Sequence, residues 1–131
     1  MGAVKVLLDT HALLWWLADD RRLSRRARKV IADPRSTIMV SSASAWEMAT
    51  KLRLGKLRDP DGAVPRLPAI LLERGLMELP VTVPHGIEAG LLPVHHRDPF
   101  DRMLVAQSRL EGAPLVTNDP AFEDYGITIV W

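Results

Sequence analysis

The sequence contains no cysteine. That excludes a disulfide framework and any thiolate metal site, and it accords with a reducing compartment. Charge of one sign is also lacking: 17 Lys and Arg against 16 Asp and Glu leave a net +1. No global field recommends a nucleic acid, so any basic surface has to be local. No apolar run reaches membrane-spanning length, and no charged region precedes a long apolar core at the N-terminus. The expected location is the cytoplasm, with no membrane partner. Repeats, low-complexity stretches and linker-like composition are missing too, so 1–131 is expected to be a single domain. With 47% hydrophobic and 25% charged residues, it should be globular with a sizeable core.

The N-terminal stretch organises the rest. Val4 to Leu8 is a short apolar run rich in β-branched residues, as expected of a strand buried on both faces. Asp9 follows at once, and Thr10 to Leu17 is apolar on nearly every side and long enough for a helix. An acid at the carboxyl end of a central parallel strand stands where open α/β sheets keep their ligands. Beside so much hydrocarbon, Asp9 cannot stay ionised cheaply without a partner.

Ser24 is a fair N-cap for a helix in which Leu23, Ala27, Val30 and Ile31 recur at helical spacing. Arg25, Arg26, Arg28 and Lys29 lie opposite, as a solvated basic face or, less simply, a surface for RNA phosphates or an acidic tail. Asp33-Pro34 ends it. Ile38 to Ser41 is a second strand, and a helix from Ser42 to about Leu54 stops at Gly55. Its expected core face is Ala45, Met48, Ala49 and Leu52, with Glu47 on the other side near Lys51. There Glu47 could close a capping box with Ser44 or pair with Lys51 at i,i+4. Residues 56–62 are turn material. A helix is expected over Val64 to Arg74, with Pro65 and Pro68 better suited to its first turn than its middle. Met77 to Val81 reads as a strand and Pro84 to Leu91 as a helix.

Asp98-Pro99 predicts an N-cap and first helical residue, leaving Asp101 in the first turn, where the helix dipole favours a negative charge. Adjacent His95 and His96 point apart and form no His-x-x-x-His pair, so they make a poor metal site. Pro114 to Thr117 is a strand followed by Asn118 and Asp119, and Asp119-Pro120 could be one more cap. Ile127 to Trp131 is expected to be an edge strand.

Each acid alone has a structural explanation, but their joint placement does not. Asp9, Glu47 and Asp119 each follow a predicted strand closely, and Asp101 opens the helix that leads to the strand before Asp119. In a parallel α/β sheet these strand ends share one rim. Carboxylates gathered there repel one another, and burial raises their pKa values further. A hard divalent cation, Mg²⁺ or Mn²⁺, resolves the repulsion and can serve phosphodiester hydrolysis.

Four stretches carry a family resemblance: LLDTHALLWWL, SSASAWEMATKLRLGKL, HHRDPFDRMLVAQS and LVTNDPAF, in family order and spacing. With them the chain resembles a PIN-domain ribonuclease, and within that family the VapC toxins of type II toxin–antitoxin pairs. The resemblance implies a three-layer α/β/α fold with a parallel sheet of order 3-2-1-4-5. It also implies a metal-dependent endoribonuclease that leaves a 5′-phosphate and a 3′-hydroxyl, restrained by a VapB-type antitoxin. By motif, Asp9 is the first metal ligand, Glu47 the second acid, Asp101 the third and Asp119 the fourth. Thr10, Thr117 and Asn118 shape the site, and Asp98 is a less certain extra acid. Lys51, Arg53 and Arg102 are candidate RNA-phosphate contacts. His11 stands where many relatives carry Asn, which leaves its role open. The apolar excess around Trp15 and Trp16 suggests a homodimer or antitoxin interface.

Three rivals remain. A receiver-type signalling domain also gathers acids around Mg²⁺, but it needs a Lys after its last strand. A catalytically inactive module binding RNA or a partner would gain nothing from buried mutual repulsion. A nuclease acting on DNA has the same metal chemistry, and no residue visibly reads the 2′-hydroxyl.

Overall fold

The computed structural model of the chain describes residues 4–95 and 98–131. Five parallel strands, β1 (Lys5–Leu8), β2 (Thr37–Ser41), β3 (Met77–Leu79), β4 (Leu115–Val116) and β5 (Ile129–Val130), form a sheet of order β3-β2-β1-β4-β5. That is the expected order, with the last strand at an edge. β1 is central because its side chains are apolar on both faces. Val6 and Leu8 enter one core cluster and Leu7 the other, all fully buried, which requires a cover on each side of the sheet.

One cover comprises α1 (Thr10–Leu17), α2 (Arg25–Ala32), α3 (Ser42–Arg53) and α4 (Leu67–Arg74), which supply Leu13, Ile31, Met48 and Leu71 to the first cluster. The other is α6 (Pro99–Glu111) with a 3₁₀ helix, Pro120–Tyr125, contributing Leu104, Val105 and Phe122. α5 (Val83–Leu91) packs on α6. None of the described helices is long and apolar enough to cross a membrane.

Local chemistry sets most helix ends. Ser24 caps α2 by accepting from the Ala27 amide at 3.0 Å. Asp98 caps α6, accepting from the amides of Phe100 at 2.8 Å and Asp101 at 3.4 Å, with Pro99 as the first helical residue. Gly112 ends α6 at φ 61°, a conformation that costs glycine little.

Three expectations need correction. α3 is capped by Ser41, which accepts from the Ala43 amide at 3.0 Å, so Ser44 and Glu47 form no capping box. The buried face of α3 is Ala43, Ser44, Glu47 and Met48, while Ala49 is exposed. Its small apolar residues instead line an open groove against α4. The helix expected from Val64 begins at Leu67, with Pro68 in its first turn, where its missing amide proton is not needed. Trp15 and Trp16, expected at an interface, are partly buried against the core. A more exposed apolar stripe lies on α5, where Val83, Ile87 and Leu91, at i, i+4 and i+8, are 76%, 59% and 80% exposed. His96, half of the dismissed histidine pair, lies outside the described residues.

Candidate active site

Parallel strands bring their carboxyl ends to one rim. Leu8 of β1 is in register with Val116 of β4, and the Asp9 amide donates to the Val116 carbonyl at 3.0 Å. Asp9 therefore stands beside Thr117. Asp9 also caps α1, its Oδ1 accepting from the Ala12 amide at 2.7 Å. Burial pushes its pKa above the usual carboxylate range; the Thr117 hydroxyl, the Ala12 amide and the nearby His11 oppose the rise, and the Glu47 charge adds to it. Thr117 accepts in turn from the Asp119 amide at 3.1 Å. One hydroxyl thus ties the acid after β1 to the acid after β4. Asp119 Oδ1 caps the 3₁₀ helix through the Ala121 amide at 3.0 Å, and Asn118 is exposed.

Glu47 reaches the same rim from the second turn of α3 and is only 4% exposed. Its Oε1 accepts from Thr10 Oγ1 at 2.6 Å, and its Oε2 pairs with Lys51. Thr10 Oγ1 also lies 3.0 Å from Ser44 Oγ. A hydroxyl has one proton, so Thr10 donates to Glu47 and accepts from Ser44. The Glu47 partnership holds the Lys51 ammonium above its ordinary pKa, with Asp98 and Asp101 adding to the effect.

Asp101, in the first turn of α6, reports the convergence most directly. Its pKa is pushed up to about 7, first by burial and then by the charges of Asp98, Glu47, Asp9 and Asp119. Five acids from four separated stretches of chain thus act on one another. Asp98, which caps the same helix, adds the largest of these charges.

The PIN domain family matches residues 6–127. The chain belongs to that family. It is similar to Ribonuclease VapC16 of Mycobacterium tuberculosis, with 38% identity over 58 residues, covering 44% of this chain and 41% of that protein. The matched stretch therefore spans less than half of that relative. Among solved structures, VapBC2 from Rickettsia felis bound to a DNA fragment from its promoter superposes with a TM-score of 0.71 at 16% identity, covering 96% of this chain and 97% of that one. DNA-bound VapBC from Salmonella typhimurium gives 0.67 at 21% identity, covering 96% of each chain. At these identities the likeness is one of fold, and the PIN-like α/β/α architecture is shared.

Seen as a PIN domain, the chain brings all four motif acids to one rim. Among the described residues, no three acidic or histidine side chains stand close enough to grip one ion as they are. The donor set still suits Mg²⁺ or Mn²⁺. All its donors are hard oxygens, its members repel, and Mg²⁺ is commonly held by one or two carboxylates with waters and a substrate phosphate completing its shell.

Two suggested RNA contacts look different in the fold. The Arg102 guanidinium donates to the carbonyls of Ala89 at 2.9 Å, Leu92 at 2.8 Å and Pro93 at 3.1 Å, fastening the end of α5 to α6. It is a structural tie, and we assign it no phosphate. Arg53 lies on the apolar groove between α3 and α4. Ser44 was expected only as a cap for this helix; its bond to Thr10, 34 positions away, has no signal in the local sequence.

Proposed function

We propose that this chain is a Mg²⁺- or Mn²⁺-dependent endoribonuclease toxin, a cytoplasmic one-domain protein restrained by a cognate VapB-type antitoxin. The observation that carries the reading is the convergence on Asp101, a partly buried acid loaded with the charge of the other acids. A fold gathers mutually repelling carboxylates at strand ends at a cost in stability, and metal-dependent phosphodiester hydrolysis is a function that uses them.

Asp9 and Asp101 would hold the ion. When bound, it supplies positive charge that favours water attack on a phosphodiester and stabilises the leaving oxygen. The chain supplies the rest. Thr117 fixes the Asp9 carboxylate through its hydroxyl. Asp119, whose backbone N–H donates a hydrogen bond to Thr117 Oγ1, is placed to align the attacking water and take its proton. Glu47, held by Thr10 and Lys51, positions the Lys51 ammonium for a substrate phosphate. In-line displacement then leaves a 5′-phosphate and a 3′-hydroxyl.

Two surfaces support the partner part of the reading. Ala45, Ala49, Leu52, Val64, Leu67 and Leu71 line an apolar groove of about 570 Å³ between α3 and α4, which suits an apolar antitoxin segment. The exposed α5 stripe suits a second copy of the chain.

The test incubates antitoxin-free protein with a total-RNA pool in Mg²⁺ or Mn²⁺, in EDTA, and as the Asp9→Asn variant. Discrete cuts that need metal and vanish in the variant are expected, and sequencing the ends names the substrate. Parent-rate cleavage by the variant would remove Asp9 from the ligand set. No cleavage and no Mn²⁺ binding would turn the reading toward a non-catalytic binding module.

A further inference from the structure

Beside the acid rim lies a second groove of about 570 Å³ that none of the four motif acids lines. Thr10 and Lys51 form its inner wall, so it opens directly from the grip on Glu47. Its outer walls combine flat groups with cations. The His11 ring stacks on Trp15 with centroids 5.6 Å apart and planes 26° from parallel, and the Arg22 guanidinium lies 5.0 Å from the centre of the Trp15 ring. Trp131 packs edge-on against Trp15 with centroids 5.8 Å apart, which braces the indole. Lys56 and Arg58 complete the lining, both exposed, and among the described residues neither forms an ion pair.

The two kinds of cation are not equivalent. Asp20 holds Arg22 in a two-pronged pair, Oδ1 to Nε at 3.1 Å and Oδ2 to Nη2 at 2.8 Å. That neutralises the charge and fixes the plane of the guanidinium, making it a stacking surface more than a phosphate site. Lys56 and Arg58 carry no such restraint and keep their charge for a phosphate. Stacked rings and guanidinium planes beside unpaired cations are how proteins hold unpaired RNA, base against the flat groups and backbone on the cations.

We propose that this groove is a nucleotide subsite for a single-stranded RNA substrate, taking one base on the His11–Trp15–Arg22 stack and its phosphates on Lys56 and Arg58. It selects the nucleotide that stands beside the cut. His11 thereby gains a role as a substrate-contacting residue at the mouth of the site. The proposal rests on the endoribonuclease reading for its substrate, but its binding geometry can be tested without cleavage.

The experiment has two arms. In EDTA, fluorescence anisotropy follows a labelled single-stranded oligoribonucleotide titrated with parent, His11→Ala, His11→Phe, Arg22→Lys and a Lys56→Ala/Arg58→Ala double variant, with Lys29→Ala, an exposed α2 residue outside the groove lining, as control. All the substituted side chains are exposed, and circular dichroism checks each fold. His11→Ala, Arg22→Lys and the double variant should each weaken binding roughly tenfold, the scale of one lost stacking or phosphate contact. His11→Phe, which keeps a ring, should restore binding, and Lys29→Ala should leave it unchanged. In Mg²⁺, sequencing of cut ends should show His11→Ala relaxing the base preference at one position, with KM raised and kcat little changed.

Equal binding by all variants, no RNA binding by the parent, or preference for an acidic peptide over RNA would each overturn the subsite. An unchanged cut pattern in His11→Ala with active enzyme would overturn it while leaving the endoribonuclease standing. Groove-dependent binding by a parent that cuts nothing in Mg²⁺ or Mn²⁺ would support the subsite and defeat the endoribonuclease reading.

Discussion

At the scale of single residues, the site is a balance between burial and charge. The folded Asp101 carboxyl keeps its proton up to about pH 7, whereas an ordinary one loses it near 3.8. Between those values the folded state binds more protons than the unfolded state, so this group's contribution to metal-free stability falls as pH rises from about 4 to 7 and then levels off. Asp101→Asn removes the titration and the repulsion. The variant should therefore melt higher than the parent at pH 8 in EDTA, with a smaller gap at pH 5, and should not cut RNA. Thermal melts at the two pH values check this; an equal gap at both would mean the Asp101 charge is not the cause. Thr117→Val tests the tie between Asp9 and Asp119. It keeps the shape but leaves a buried carboxylate without its hydroxyl donor. Loss of such an outer partner typically costs about 10- to 100-fold in metal affinity or activity, measurable by Mn²⁺ titration and by the cleavage rate.

At the scale of elements, each helix serves two surfaces. α3 turns Glu47 toward the rim and Ala49 toward the groove shared with α4. α5 is fastened to α6 by the Arg102 bonds to its last carbonyls and by a buried His85, whose Nε2 stands 3.0 Å from Glu111 Oε2. Its outer stripe of Val83, Ile87 and Leu91 is left open. Lone exposed apolar side chains are ordinary, but a three-residue stripe along one helix face points to a covering surface. Ile87→Lys with Leu91→Glu should shift a homodimer to monomer in sedimentation or size-exclusion measurements without unfolding it, since both side chains are exposed. An unchanged oligomeric state would place the dimer contact elsewhere. Ala49→Glu, placed in the other groove, should weaken antitoxin binding while leaving RNA cleavage near the parent rate.

At the scale of the whole molecule, the acids work against the fold until something neutralises them. A ligand that binds only the folded state stabilises it by mass action, about 2.7 kcal/mol at a hundredfold excess over its Kd. For a chain of this size that corresponds to a rise in Tm on the order of 10 °C. Mn²⁺ should produce such a rise at pH 8, EDTA should reverse it, and Asp9→Asn should abolish most of it. Differential scanning fluorimetry across a Mn²⁺ series reads all three. A parent whose Tm ignores Mn²⁺ would contradict the metal assignment.

Sequence alone determined what depends on neighbours a few residues apart. The Val4–Leu8 run could only be a strand covered on both faces, Ser24 and Asp98-Pro99 had to begin helices, and an acid after each of three strands had to share a rim once the sheet was parallel. The PIN-family motifs added the strand order. Periodicity misjudged α3, because its apolar residues Ala45, Ala49 and Leu52 mark one face while the buried face holds Ser44 and Glu47. That choice is made by Thr10, 37 positions away from Glu47, and no local rule can see it. Arg102 read as a candidate phosphate contact until the α5 carbonyls were beside it, and the role of His11 stayed open until the Trp15 indole was seen to meet both the His11 ring and the Arg22 guanidinium. A polar group is buried only where partners from elsewhere in the chain satisfy it, so tertiary structure had to decide which polar residues belong to the site.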